Sequence, residues 1–278
     1  MNKRGAQTLL TAPSFLWMLL LFAWPAAHLF VMAFKPADVT GGVGEGWTLD
    51  AWRVFAEQGY GAVIWRTVWI TAVSTLGCIL VALPVAWRIS RAAPKWRPWL
   101  LLAVILPFWT SFLVRVYAWR VLLASNGPLA AWLKSVGLMG EDAMLLYNPT
   151  AVVLVIIYTE LPLAVLPIYA AMEKFDPALL DAARDLGATR IQAFFKVVLP
   201  GIRRGLVAAV LMVGIPGLGS YVVPEMIGGV DAEMLGSKIG QRLFSDRNLP
   251  QAAALASALA LMSMPAVLMA VRRKEEGE

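Results

Sequence analysis

Sulfur, imidazole and charge are all scarce in this chain. Its 278 residues contain one cysteine, Cys78, and one histidine, His28. A lone cysteine excludes an internal disulfide scaffold, and a single histidine leaves no cluster that could hold structural zinc. Charged residues make up 15% of the chain, against about 25% for a soluble domain. The phosphate-cradling pattern G-x-x-x-x-G-K-[ST] is missing; the nearest string, Gly236-Ser237-Lys238, has the wrong order. No Ser/His pair, paired carboxylates or metal-ligand constellation supports an enzyme with an intramembrane site, and no basic patch with interleaved aromatics suggests nucleic acid.

What is abundant is apolar: 59% of residues are hydrophobic and the mean hydropathy is +0.68. A soluble core of this size could not bury that much apolar surface and stay dissolved, so lipid is the expected solvent. Disorder and a coiled coil are excluded on the same ground. Because each Lys, Arg or Asp at a span centre costs roughly 2.5 to 3.5 kcal/mol, uncharged stretches locate the spans. They run from Arg4 to Lys35, Arg66 to Arg88, Arg97 to Arg115, Asp142 to Glu160, Arg204 to Glu225 and Arg247 to Arg272. These predict an all-α polytopic membrane protein, one transmembrane domain over 1–278, with six helices at about 12–34, 66–87, 99–122, 150–172, 205–225 and 250–271. The first apolar run, from Leu9 past Pro25 to Phe34, outlasts a signal-peptide core of about 7 to 15 residues, so a retained anchor is expected.

Alternate sides of these helices differ in positive charge. Fifteen of the 24 lysines and arginines fall on one side and seven on the other, with Arg115 and Arg120 inside the third helix. The positive-inside rule then places both termini in the cytoplasm, and the basic pI of about 9.6 reflects topology and anionic lipid. Trp17, Trp24, Trp65, Trp69, Trp87, Trp96 and Trp99 suit an interfacial belt. Outer loops at about 35–65 and 123–149 are long enough to meet a docking protein.

The cytoplasmic segment 173–204 is polar yet patterned as helix. Asp176-Pro177 opens it, Leu179, Leu180, Ala183 and Leu186 make an apolar face, and Gly187 supplies a stop. A second amphipathic stretch carries Ile191, Phe194, Phe195 and Val198 into Leu199-Pro200. Two short helices at a bend are expected, fit to lie on a membrane surface or in a groove of another protein.

Asp181-Ala182-Ala183-Arg184-Asp185-Leu186-Gly187, nine residues, then Val197-Val198-Leu199-Pro200 resembles the EAA loop, E-A-A-x-x-x-G-x9-I-x-L-P, of binding-protein-dependent ABC importer permeases. The spacing fits throughout; Asp181 replaces Glu and Val197 replaces Ile, keeping charge and branching. Leu106-Pro107-Phe108-Trp109-Thr110-Ser111 with Arg115, Tyr117, Ala118 and Trp119, and Gly217 to Glu225 with Gly228-Gly229, resemble spans of spermidine/putrescine-type permeases. The resemblance implies an inner-membrane subunit that moves a polyamine or another small organic or inorganic solute. It also implies three partners: a cytoplasmic ATPase that binds ATP and Mg, an extracytoplasmic solute-binding protein, and a second permease, expected to be a paralogue. This chain is implied to bind no cofactor of its own. Asp181, Ala182, Ala183, Gly187, Leu199 and Pro200 are implied to couple to the ATPase. Physically, the alanines permit close approach, Gly187 the bend, and Asp181 offers a carboxylate.

Ionisable groups inside spans mark a path or a pair. On straight helices Arg115 and Glu160 lie about 10 and 15 Å deep at 1.5 Å per residue, which predicts an ion pair joining the third and fourth spans, while Arg120 snorkels outward. In the fifth span Gly214, Pro216, Gly217, Gly219 and Pro224 predict a broken helix, either lining a cavity or packing closely. Tyr221 and Glu225 on it would suit an organic cation. The rival is an ion-driven carrier with Arg115 and Glu160 in coupling, but matched inverted halves are not evident.

Overall fold

The computed structural model describes residues 3–38, 41–53, 55, 59–140 and 143–275. Parts of the expected outer loops, at 39–40, 54, 56–58 and 141–142, lie outside the described residues. Helices in chain order are α1 (Lys3–Met18), α2 (Trp24–Met32), α3 (Asp50–Arg53), α4 (Tyr60–Ser90), α5 (Arg97–Ile105), α6 (Phe112–Leu123) and α7 (Pro128–Ser135). They continue as α8 (Pro149–Glu173), α9 (Ala178–Asp185), α10 (Arg190–Ala193), α11 (Leu199–Gly201), α12 (Arg203–Leu218), α13 (Leu235–Gly240) and α14 (Leu249–Glu275). Among the described residues strand pairing is limited to an isolated bridge between Ala37 and Val43.

The chain forms two compact units, one from the residues up to Ala62 with Lys238–Met262, the other from Val63–Ser237 with the residues after Met262. In the first, α1 and α2 are joined by a π turn, Leu19–Ala23, just before Pro25. Proline lacks the N–H that a regular ladder would need there, and the wider turn absorbs the vacancy. Residues 11–27 are exposed all round, as an apolar helix facing lipid would be. A small cluster of Ala33, Ala51, Ala253 and Ala254 packs with Trp52 and Phe55. Tyr60 fixes the start of α4: its hydroxyl accepts from Arg242 Nη2 at 2.9 Å, and Arg242 also grips Asp246 at 3.0 Å.

The second unit is built on α8 against α12. Gly205 makes the approach possible, since a Cβ there would collide with Ala171 and the Pro167 carbonyl. Around this contact Cys78, Ala82 and Ala86 of α4, Ala164, Val165 and Ile168 of α8, and Ala209 and Val213 of α12 close one core. A second core gathers Ile70, Val116, Val152, Val155, Val223 and Ile227. Helix α8 begins where Asn148 caps it, Oδ1 accepting from Ala151 N at 2.9 Å, with Pro149 in the first turn. Tyr147, at φ 63, donates its N–H to the Ile227 carbonyl and ties this cap to the segment after α12.

Among the described residues, three apolar stretches are long enough to cross a membrane unbroken: Thr11–Met32, Tyr60–Ser90 and Pro149–Glu173. They overlap the expected first, second and fourth spans. The third and fifth depart from straight spans: Arg97–Trp109 and Phe112–Ser135 meet at 86°, and Arg190–Gly201 and Arg203–Leu218 at 71°. Counting each bent pair as one span gives five. In the sixth region α14 runs from Leu249 to Glu275 with Pro265 inside it, and the three unbroken and two bent spans among the described residues leave the expected count of six unmatched as such. The third break has a local cause. Pro107 tightens the helix into a 3-10 turn over Leu106–Trp109, and Thr110 is extended at ψ 151 before α6 restarts.

Gly205→Leu is expected to lower the unfolding temperature of the detergent-solubilised protein by several degrees, through an overpacking cost of about 1 to 3 kcal/mol. Gly61→Ala, whose added methyl meets nothing, leaves it unchanged. Differential scanning fluorimetry on both variants checks the contrast.

Candidate coupling surface and permeation path

Between α8 and α12 the chain makes a compact helical corner from the residues of the EAA pattern. Asp176 Oδ1 accepts from Ala178 N at 2.9 Å and starts α9. Gly187, at φ 85, ends it: its N–H reaches the Arg184 carbonyl at 2.8 Å while Ala188 N reaches Ala183 at 3.0 Å. A left-handed residue here costs any side chain roughly 1 to 2 kcal/mol and glycine almost nothing. Thr189 then begins α10 with a reciprocal cap, its hydroxyl accepting from Gln192 N and its own N–H donating to Gln192 Oε1. A π turn, Phe194–Val198, leads to Leu199-Pro200 in α11 and on into α12.

Leu180, Ala193 and Val198 are buried together beneath Phe175, Ala183 and Phe194. Leu179, Leu186, Ile191 and Phe195 point the other way, Leu186 with 89% of its surface exposed. The sequence pattern had put Leu179, Leu180, Ala183 and Leu186 on a single face; the structure divides them. Leu179 and Leu186 are seven residues apart, close to two turns, and share an outward stripe, whereas Leu180 lies about 100° round the helix and faces in. Ala182 is exposed and Ala183 half-buried. Asp181 stands 3.7 Å from Arg184 with a largely exposed carboxylate, an ion pair worth little in itself. The corner therefore presents an apolar, acid-edged surface on a scaffold that is rigid because its other side is packed.

The in-span charges do not meet as expected. No ion pair or hydrogen bond joins Arg115 to Glu160. Arg115 is 91% buried, its guanidinium lying 4.8 Å from the Phe108 ring and 5.8 Å from Phe112, with Nε and one terminal nitrogen lacking a hydrogen-bond partner. Its charge still acts on Glu160, half-buried on α8. The depth arithmetic assumed a straight third helix, and the break at Thr110 turns Arg115 back onto the aromatic residues just before it. Arg120 is exposed.

Tyr221 and Glu225 come together: Glu225 N donates to the Tyr221 carbonyl at 3.1 Å, and both side chains are exposed one turn apart. They follow the point where α12 stops at Leu218, the break that its glycines and prolines predict. Sequence reasoning missed a hydroxyl stripe on α4. Thr67 donates to the Val63 carbonyl and accepts from Leu235 N at 2.9 Å, and the buried hydroxyls of Thr71, Ser74 and Thr75 have no hydrogen-bond partner. Thr71 and Thr75 oppose Gly217 and Gly214 of the broken segment. The i, i+4, i+8 spacing of Thr67, Thr71 and Thr75 was the available signal.

This arrangement of bent spans around a helical corner is the fold of ABC importer permeases. A bacterial ABC transporter that imports alginate superposes with a TM-score of 0.72 at 18% identity, covering 99% of this chain and 96% of that one. The same kind of transporter in complex with an alginate-bound periplasmic protein gives a TM-score of 0.69 at 19% identity, over 97% and 93% of the two chains. Residues 3–273 match the family of binding-protein-dependent transport system inner membrane components, and the chain belongs to it. Among its relatives is the spermidine/putrescine transport system permease protein PotB of Haemophilus influenzae, 32% identical over 92% of this chain and 90% of that protein. PotB of Escherichia coli is 30% identical over 88% and 90%. A sulfate transport system permease, CysW of Synechocystis, is 24% identical over 95% and 90%.

Arg115→Lys keeps the charge but loses the flat face that lies against Phe108, and is expected to destabilise the solubilised protein by about 1 kcal/mol. The exchange Arg115→Glu with Glu160→Arg gives no recovery over either single change, because there is no direct contact to restore. A double-mutant cycle of unfolding temperatures tests both statements.

Proposed function

We propose that this chain is the permease subunit of an ATP-driven polyamine importer, carrying spermidine or putrescine inward through the inner membrane. The observation that carries the reading is the helical corner: four exposed apolar side chains, Leu179, Leu186, Ile191 and Phe195, on a packed scaffold continuous with a bent span. Such a surface fits a groove in a partner, as amphipathic helix anchors do. That partner is a cytoplasmic ATPase binding ATP and Mg, this chain holding no cofactor. Both termini then lie in the cytoplasm with the corner. A second permease, a paralogue, completes the path, and a binding protein outside delivers the solute. Polyamine as the solute is supported by relatives named for spermidine and putrescine that align over about nine-tenths of both chains.

In mechanism, ATP-driven closure of the partner pulls on α9, and the corner passes the movement into α12. The break after Leu218 and the glycine contacts along α4 let that span shift without tearing a regular helix. Tyr221 and Glu225 offer a π face and a carboxylate to an amine. Asp181, with Ala182 and Ala183, seats the corner, and Leu199-Pro200 turns it toward α12.

A second reading, an anionic solute, is favoured by the buried guanidinium of Arg115, which would attract an anion in the path. Uptake of labelled spermidine and of labelled sulfate by vesicles holding the reconstituted complex separates the two. Spermidine transport dependent on ATP and on the binding protein is the expected result, and transport of sulfate alone would overturn the polyamine assignment. Leu186→Asp and Gly187→Val are each expected to cut ATPase stimulation by the binding protein at least about tenfold, a cost near 1.4 kcal/mol, with the chain still folded in detergent.

A further inference from the structure

We propose that a cleft beside the helical corner binds a phosphate-bearing anion, and that its geometry suits the headgroup of an anionic phospholipid. The cleft, of about 420 Å³, lies between the end of α4, the start of α5 and the end of α8. Two arginines line it. The guanidinium of Arg91 lies 3.8 Å from the indole of Trp87, which holds the flat group in place and leaves its edges to donate. Arg97 is anchored by Nε to the Ala92 carbonyl at 2.9 Å, and its Nη1 stands 3.9 Å from Glu173 Oε1. That second distance is well beyond the 2.7 to 2.9 Å of a charge-assisted hydrogen bond, so with Nε fixed on Ala92 the terminal nitrogens keep donors for a phosphate. Glu173, a carboxylate in the same lining, is held by the Tyr169 hydroxyl, which donates to Oε1 at 3.0 Å.

Two further features select a lipid from other phosphates. Trp96 and Trp99, exposed by 57% and 65%, flank Arg97 as interfacial indoles do, which sets the cleft at headgroup depth. Phe175 and Val198 give it an apolar wall for glycerol and the first methylenes, and the same two residues pack the corner from within. Basic clefts between spans are how lipid headgroups are held at a membrane face. A bound lipid would brace the hinge between α8 and α9. Which leaflet supplies it rests on the orientation proposed above; binding itself does not, and needs no ATPase partner.

The test uses the full chain in mild detergent, with lipid retention read by native mass spectrometry. Phosphatidylglycerol, phosphatidylcholine of the same chains, and glycerol phosphate are the three probes. Two basic contacts predict a preference for phosphatidylglycerol over phosphatidylcholine of about thirtyfold, lost in Arg91→Gln with Arg97→Gln. Arg97→Lys retains part of it, and Lys95→Gln, outside the cleft, leaves it intact. Glycerol phosphate held equally well, with the same dependence on both arginines, assigns the anion site to a soluble phosphate. Equal retention of the two lipids with no glycerol phosphate bound, or equal loss in Lys95→Gln and the double variant, overturns the proposal.

Discussion

Inside lipid every backbone N–H and C=O must find its partner within the protein, and this single demand organises the molecule. It explains why the described residues are mostly helical. Three of the places where the chain leaves the regular ladder show how: Leu19–Ala23 stands just before Pro25, Leu106–Ser111 holds Pro107, and Gly219 follows Leu218. The backbone recovers through a π turn, a 3-10 turn or a bond to the next segment, as when Thr67 of α4 accepts from Leu235 N. A bent span is costly in hydrocarbon, so its position is set by where neighbours can receive the freed groups.

The corner between α8 and α12 obeys a different economy. It buries Leu180, Ala193 and Val198 on one side and leaves four large apolar side chains uncovered on the other. A surface of that kind is unstable against association unless a partner is meant to cover it. Stiffness comes from terminators rather than from length: Gly187 in the left-handed region and the reciprocal cap of Thr189 with Gln192 fix the angle between two very short helices. Under the proposed coupling, this fixed angle is what would carry force from α9 into α12.

Much of this was legible in the residues. Uncharged runs located the unbroken helices because charge is excluded from hydrocarbon, and the spacing from Asp181 to Pro200 located the corner because a helix stop and restart need particular residues. The break at Pro107 was hidden, since proline inside an apolar run reads equally as a mild kink. That omission propagated: a straight third helix brought Arg115 level with Glu160, and the true bend sends the guanidinium onto Phe108. The division of Leu179 from Leu180 was hidden for another reason, as periodicity gives two adjacent apolar stripes without saying which faces the core. The hydroxyls of α4 went unnoticed because threonine and serine are neutral in hydropathy, and their burial shows only when the facing glycines are in place.

The last helix carries a consequence for the bilayer as well as for the chain. Helix α14 stays uncharged from Leu249 as far as Val271, with Pro265 inside it. At 1.5 Å per residue that stretch extends about 34 Å, while the hydrocarbon core is about 30 Å. An excess of this size is taken up by tilting or kinking, and a proline within the apolar run provides the place to bend.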